Sequence, residues 1–302
     1  MFDLPTVFVV GAGASKSWGF PIGSGLRDEI AAQLSVAFTP TGGWNGSLTQ
    51  VAEAYLNKTK RDRSTLFNLF GEMRSRLFAY NSIDELIDGQ EDEAVTELAK
   101  LAIAHVIGAK ERECEGLHFQ LEDRPTDFHQ RMAHTWLARI ATQLVSGVRL
   151  KTSYRDIGSN VAFISFNYDR SLEQFLYAWL ARLGIGEDGA LEVLSRMKIF
   201  HPYGTLGPLP WQGIENRAFG ETQNLYGAAS SIRTFTEQLE ESEELAQLRA
   251  VVLQAQRIVF LGFGFHRQNM TLLAPQKPTS HTPVLFGTTH ECKHGEIQRI
   301  SR

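Results

Sequence analysis

The stretch VFVVGAGASKSWGFPIGSGLRDEI, Val7 to Ile30, decides the fold. Together with Thr6 it opens on an unbroken β-branched and aromatic run, Thr6 to Val10. A run without polar alternation reads as a strand buried on both faces, as central strands of parallel sheets are. Gly11 ends it at once, four more glycines follow at 13, 19, 23 and 25, and a helical pattern starts at Leu26. Strand, glycine loop and helix in that order form the first unit of an α/β fold.

Working outward, four more short apolar runs end in Gly, Asn or Pro signals: Val161 to Phe166, Lys198 to His201, Arg257 to Gly262 and Pro283 to Phe286. Each reads as a buried parallel strand. The expected architecture is a Rossmann-like parallel sheet with helices on both faces. Helical signals cover Leu26 to Leu34, Leu66 to Tyr80, Ala94 to Lys110 and Phe128 to Leu144. The span between the first two strands exceeds a single crossover. It is therefore expected to hold a helical insertion at about 34–148 within a single domain, 1–302, packed over the carboxyl edge of the sheet. Thr39 to Ser47 and Glu111 to Asp127 are its expected loops.

The composition narrows the function classes. With 302 residues, 43% of them hydrophobic, the chain can bury a full core. A net charge of -4 supplies no basic field for nucleic acid or an anionic membrane. No apolar run approaches the about 18 residues of a spanning helix, and Met1 to Pro5 lack the pattern of a secretion signal, so a cytoplasmic protein is expected. Two distant cysteines, Cys114 and Cys292, cannot assemble a disulfide framework or a multi-cysteine zinc site.

Four segments can carry chemistry. Gly11-Ala12-Gly13-Ala14-Ser15 lets bare backbone approach a ligand, with amides there and at the next helix N-terminus available to a pyrophosphate. The dehydrogenase fingerprint G-x-G-x-x-G fails, because its sixth position is Lys16, and no second strand ending in an acid follows about 20 residues later. A glycine-rich turn without a ligand is the competing reading. In FISFNYDRSLEQF, Phe163 to Phe175, Asn167 and Asp169 emerge at a strand end, where open α/β sheets bind ligands. They can bind a carboxamide and a ribose hydroxyl, or Asp169 can simply cap the following helix. In KIFHPYGTLGPLPW, Lys198 to Trp211, His201 is presented as a general base would be, or as a satisfied structural histidine. RIVFLGFGFHRQNM repeats strand then G-x-G with Gly262 and Gly264, and Asn269 lies near the start of the next helix.

In this order, with GFPIG, SIDELI at Ser82 to Ile87, YGTLG and IRTFTE at Ile232 to Glu237, the segments resemble the sirtuin-like superfamily. The resemblance is closer to its bacterial branch of NAD-hydrolysing effectors in anti-phage defence, and it runs from Val7 to about Thr289. SFNYD stands where sirtuins carry T-Q-N-I-D, so Asn167 and Asp169 match its Asn and Asp while Phe166 replaces Gln. His201 matches the catalytic His, although Pro202 and Tyr203 intervene before the Gly. Gly11, Ala12, Gly13 and Ser15 match the phosphate loop, Ile22 to Gly25 replace the acidic and Arg positions of G-I-P-D-F-R, and Gly262 and Gly264 fall in the ribose-contacting segment.

Deacylating sirtuins carry a four-cysteine zinc module that this chain lacks, which removes the basis for an acyl-lysine pocket. The resemblance then implies an NAD+ glycohydrolase that releases nicotinamide and ADP-ribose, acting in abortive infection, with NAD as substrate and no zinc. Asn167 would position water or ribose, His201 would act as base, and Asp169 would orient the carboxamide. Alternatives are an NAD or ADP-ribose sensor without turnover, or a zinc-free deacylase or ADP-ribosyltransferase. Control is expected through homo-oligomers or a partner defence protein that senses infection, with the insertion as contact surface and Leu66, Phe67, Leu77 and Phe78 as candidate residues.

Other groups have plainer readings. Ser82 and Glu85 fit a capping box, with closure of the site over NAD as the alternative. His129 and His134 are read on one helix at a spacing that does not stack them for a metal, and His290 and His294 on a final exposed helix. Trp18 and Phe20 read as core or lid packing ahead of base stacking.

Overall fold

The computed structural model describes residues 2–34, 37–38, 44–45, 48–89, 92–119, 125–235, 237, 242–274 and 281–288. The first strand, β1 (Thr6–Val10), is buried at every position, as its unbroken apolar run requires. A short antiparallel hairpin, β2 (Ala37–Phe38) with β3 (Trp44–Asn45), occupies part of the stretch expected as loop. The remaining expected strands all form: β4 (Val161–Ser165), β5 (Lys198–Phe200), β6 (Arg257–Leu261) and β7 (Val284–Gly287).

These join β1 in one five-stranded sheet of order β5-β4-β1-β6-β7. Every pairing is parallel, with Val9 level with Ile164 on one side and Phe260 on the other. In order of appearance within the sheet this is 3-2-1-4-5, the Rossmann-like arrangement, and its strand order reverses at β1. The two edges differ from expectation. Val284, Leu285 and Phe286 of β7 are exposed rather than buried, and Lys198 of β5 is exposed too; among the described residues each of these strands has a sheet neighbour on one side alone.

After β1 the chain forms α1 (Ala12–Ser15) and α2 (Gly23–Gln33), then the insertion: α3 (Thr49–Thr59), α4 (Arg63–Leu77), α5 (Ile83–Asp88), α6 (Glu93–Glu113), α7 (Pro125–Met132) and α8 (Trp136–Val145). Asp62 starts α4 by accepting the Thr65 amide at 2.8 Å. Along α6, Leu98, Ala99, Leu101, Ala102 and Ile103 are all fully buried, the pattern of a helix surrounded by others. The helix expected over Phe128 to Leu144 is two helices. Thr135 breaks it, its Oγ1 donating to Met132 O at 2.8 Å and accepting the Ala138 amide at 3.2 Å as the cap of α8. His129 therefore lies on α7 and His134 in the turn, not on one helix.

Helices α9 (Leu150–Ser153), α10 (Ser171–Leu180), α11 (Gly186–Arg196), α12 (Leu225–Ser230), α13 (Glu243–Gln254) and α14 (Arg267–Leu273) follow, beside short 3-10 and π turns. Insertion and sheet share one apolar cluster, in which Val9, Leu98 and Phe163 all take part. They are also joined by a buried ion pair. Glu111, expected at the edge of a charged loop, sits instead on α6 with no exposure and meets Arg170 Nη2 at 2.5 Å. Arg170 also donates to the carbonyls of Arg217 and Ala218, so every part of this buried charge is matched.

Cys114 is buried, and burial pushes its thiol up to about 11. Cys292, His290 and His294 lie outside the described residues. Among the described residues no helix is long and apolar enough to cross a membrane.

Candidate functional site

Open α/β sheets bind ligands outside the carboxyl ends of their strands, where the strand order reverses. Here that point lies between β1 and β6, and a cavity of about 630 Å3 opens there. Its size falls within the roughly 300–1,000 Å3 usual for small-molecule sites. Gly11 to Ala14 and Leu261 to Gly264 form its floor, and the start of α2, part of α5, Trp136, Tyr203 and Asn269 form its walls.

The glycines are required first by each other. A Cβ on Gly11 would lie 2.6 Å from Gly262 O, and one on Gly262, whose φ is +55°, only 2.0 Å from the Ala14 amide nitrogen. The two loops interlock, and the Gly13 amide donates to Gly262 O at 2.9 Å. Close approach to a ligand is thus not the primary reason for these glycines. At Gly11, Gly13, Gly262 and Gly264 the part that lines the cavity is bare backbone.

The helix directly after the loop, α1, has only four residues, too few for a useful dipole. The eleven-residue α2 serves better. Its first residues, Gly23 and Ser24, line the cavity, its N-cap Ile22 supplies no side-chain acceptor, and its first turn contains no acid. First-turn amides, which have no partner within their helix, and the positive end of the helix favour an anion there. Lys16 and Arg27 are also in the wall, with Arg27 already held by Asp28 at 2.6 Å and by Tyr80 O at 2.8 Å.

The strand-end residues form a cluster one hydrogen bond behind the floor. Asn167, 6% exposed, donates from Nδ2 to Gly11 O at 3.2 Å and to Ser15 Oγ at 2.9 Å. Its Oδ1 is buried without a donor, a costly state for an amide oxygen. Asp169 accepts the Ser171 amide at 3.1 Å and the Ser171 hydroxyl, a local turn just ahead of α10. The helix's own N-cap position is Arg170, which makes no side-chain cap bond, so Asp169 is not the helix cap. Burial pushes its carboxyl above the usual range, with the bonds from Ser171 and Ser15 opposing.

His201 follows β5 directly and turns inward. Its Nε2 meets Glu173 Oε1 at 2.5 Å, and its Nδ1 lies 3.4 Å from Asn167 O. Burial alone would lower the imidazole pKa, but the Glu173 charge and both hydrogen bonds overcome it and raise it. Burial likewise works to raise Glu173, and His201 overcomes it and lowers it. Each partner thus favours the charged form of the other.

Of the residues singled out by sequence, Gly11, Ala12, Gly13, Gly262, Gly264 and Asn269 line the cavity, while Ser15, Asn167, Asp169 and His201 stand behind it. Ser82 does cap α5, accepting the Glu85 amide at 3.2 Å. The Glu85 carboxylate reaches the Asn81 amide at 3.0 Å, one residue before the expected partner, and Ser82, Asp84 and Glu85 also face the cavity. Phe20 is core, and Trp18 packs against Phe175 with ring centroids 6.4 Å apart; neither lines the cavity. Several wall residues were given no role in the sequence analysis, among them Arg27, Asn81, Asp84, Trp136, Tyr203 and His266. Trp136 donates from Nε1 to Ala14 O at 2.9 Å, and Asp84 and Tyr203 lie within motifs whose other members drew attention. No family model, curated protein or solved structure matches the chain.

Proposed function

We propose that the chain is an NAD+ glycohydrolase, with Asn167 and His201 as its catalytic residues. The reading is supported above all by the cavity at β1 and β6, where interlocked glycine loops and the open N-terminus of α2 suit a diphosphate. Asn167 is bonded directly to that floor through Gly11 O, and its Oδ1 can accept from a water or a ribose hydroxyl. In the proposed reaction the bond between nicotinamide and ribose C1′ breaks, its electron pair leaving with neutral nicotinamide. Water oxygen bonds to C1′, and the proton passes to His201 once the imidazole is neutral; because Asn167 and His201 stand behind the floor, the reaction requires the floor to shift and admit them to the cavity. Products are nicotinamide and ADP-ribose. Asp169 would bear on the carboxamide only after giving up part of its bonding to Ser171.

A second reading is a sensor that binds NAD or ADP-ribose without turnover. It is favoured by the engagement of both ring nitrogens of His201 within the protein. A zinc-free deacylase or ADP-ribosyltransferase would use the same cavity with an acceptor other than water. Because free NAD hydrolysis would exhaust the host, the resting form must be restrained. In this reading a homo-oligomer or a partner defence protein that senses infection releases it, as part of abortive infection in the cytoplasm. Of the candidate contact residues, Phe67 and Phe78 are exposed, whereas Leu66 and Leu77 belong to the core. Chromatography after incubation with NAD+ tests the proposal: nicotinamide with ADP-ribose supports hydrolysis, and intact bound NAD+ supports the sensor.

A further inference from the structure

Two tyrosines in the strand-end motifs have no task in the account above. Tyr168, from SFNYD, and Tyr203, from HPYG, are 7% and 4% exposed, and their rings lie 6.4 Å apart. Each hydroxyl is committed to one side chain of the cavity wall. Tyr168 donates to Asp84 Oδ1, and Tyr203 donates to Asn269 Oδ1 at 2.7 Å. Asp84 and Asn269 both line the cavity.

The consequence lies in what is left over. With its oxygen held by Tyr203, Asn269 has its NH2 group to offer, a donor. With Oδ1 held by Tyr168, Asp84 has Oδ2, an acceptor. The elements carrying the two are themselves tied, since Gln268 Nε2 of α14 donates to Asp88 Oδ2 of α5 at 2.7 Å. A fixed acceptor and a fixed donor in one cavity match a vicinal diol, one hydroxyl donating and the other accepting.

The geometry points to Asp84 and Asn269 as a tyrosine-fixed clamp for the vicinal diol of a nucleotide ribose, with Asp84 the main determinant of sugar specificity. It deepens the reading of the cavity as a nucleotide site and rests on that reading. Burial pushes the Asp84 carboxyl above the usual range against the Tyr168 hydrogen bond, so a hydroxyl donor would restore solvation that the carboxylate has lost.

The test is calorimetric titration of the full chain with ADP, nicotinamide mononucleotide and the 2′-deoxy form of each. The two nucleotides separate the adenosine ribose from the nicotinamide ribose. For the sugar that occupies the clamp, the wild type is expected to favour ribose over deoxyribose by about 10- to 100-fold, the scale of a hydrogen bond to a charged group. Asp84→Asn keeps the oxygen facing Tyr168 and turns the leftover acceptor into a donor, so the preference should collapse to near one. Tyr168→Phe, which leaves the carboxylate in place but unfixed, should reduce it and serves if Asp84→Asn does not fold. A full ribose preference in the folded variants, or none in the wild type, overturns the clamp alone. Failure of the wild type to bind any of the four overturns the nucleotide reading and the clamp with it.

Discussion

His201 Nε2 lies 2.5 Å from Glu173 Oε1, and the two side chains are only 12% and 6% exposed. The pair joins the residue after β5 to the first turn of α10, directly behind the cavity floor. A carboxylate so placed fixes the ring and the form of the imidazole, and it also stabilises the proton that a general base must lack.

The pH dependence follows from the two shifts. His201 is raised above its ordinary 6.5, so its contribution to stability is complete below 6.5 and is lost as pH rises through the raised value. Glu173 is lowered below its ordinary 4.5, so its contribution is present above 4.5 and is lost as pH falls through the lowered value. Urea denaturation of wild type and Glu173→Gln should differ most between those limits and converge at alkaline pH. On NAD+, kcat/KM should rise with pH through the raised His201 value, and Glu173→Gln should move that midpoint down. An unmoved midpoint would remove Glu173 from the account.

Asn167→Ala and His201→Ala should each lower NAD+ turnover by about two orders of magnitude or more, the scale of lost positioning or a lost general base. Circular dichroism should show the fold retained. Wild-type turnover in both variants would displace the assigned catalytic pair.

Two glycines in the left-handed region, Gly262 in the floor and Gly19 outside it, give a contrast. At Gly19, φ +88°, an added Cβ meets nothing within 4 Å, so Gly19→Ala should cost only the backbone term, about 1–2 kcal/mol. Gly262→Ala, φ +55°, drives a methyl into the Ala14 amide, so it should cost more, about 1–3 kcal/mol of strain beyond that, and abolish nucleotide binding. Thermal melts and calorimetry check both. Equal melting temperatures would mean that the loops do not interlock.

The ion pair between Glu111 and Arg170 ties α6 to the strand-end cluster. Arg170→Met removes the charge facing the buried Glu111 carboxylate and should destabilise the fold by about 3–5 kcal/mol. The double variant Glu111→Leu with Arg170→Met should recover only part of that loss by chemical denaturation, because the Arg217 and Ala218 carbonyls and the Gly220 amide lose their partners.

The parallel strands were legible in the sequence because each is a short apolar run ended by a Gly, Asn or Pro signal. The alignment of Gly11 with Gly262, and of Asn167 with His201, follows from that topology. Asp169 shows where legibility stops: cap and ligand group call for the same residue at the same strand end. Glu111 and Arg170 were opaque for another reason, since burial of a charge depends on a partner far along the chain. The same holds for Tyr168 with Asp84 and Tyr203 with Asn269, and a helix break as local as Thr135 is outweighed by the apolar periodicity around it.

The central claim is that NAD+ is cleaved at the nicotinamide ribosyl bond. Chromatography of NAD+ incubated with the full chain, across protein concentrations and beside Asn167→Ala, tests it most directly. The account predicts equal amounts of nicotinamide and ADP-ribose, with specific activity rising as the protein associates and lost in the variant. NAD+ that remains bound and intact at every concentration would contradict it.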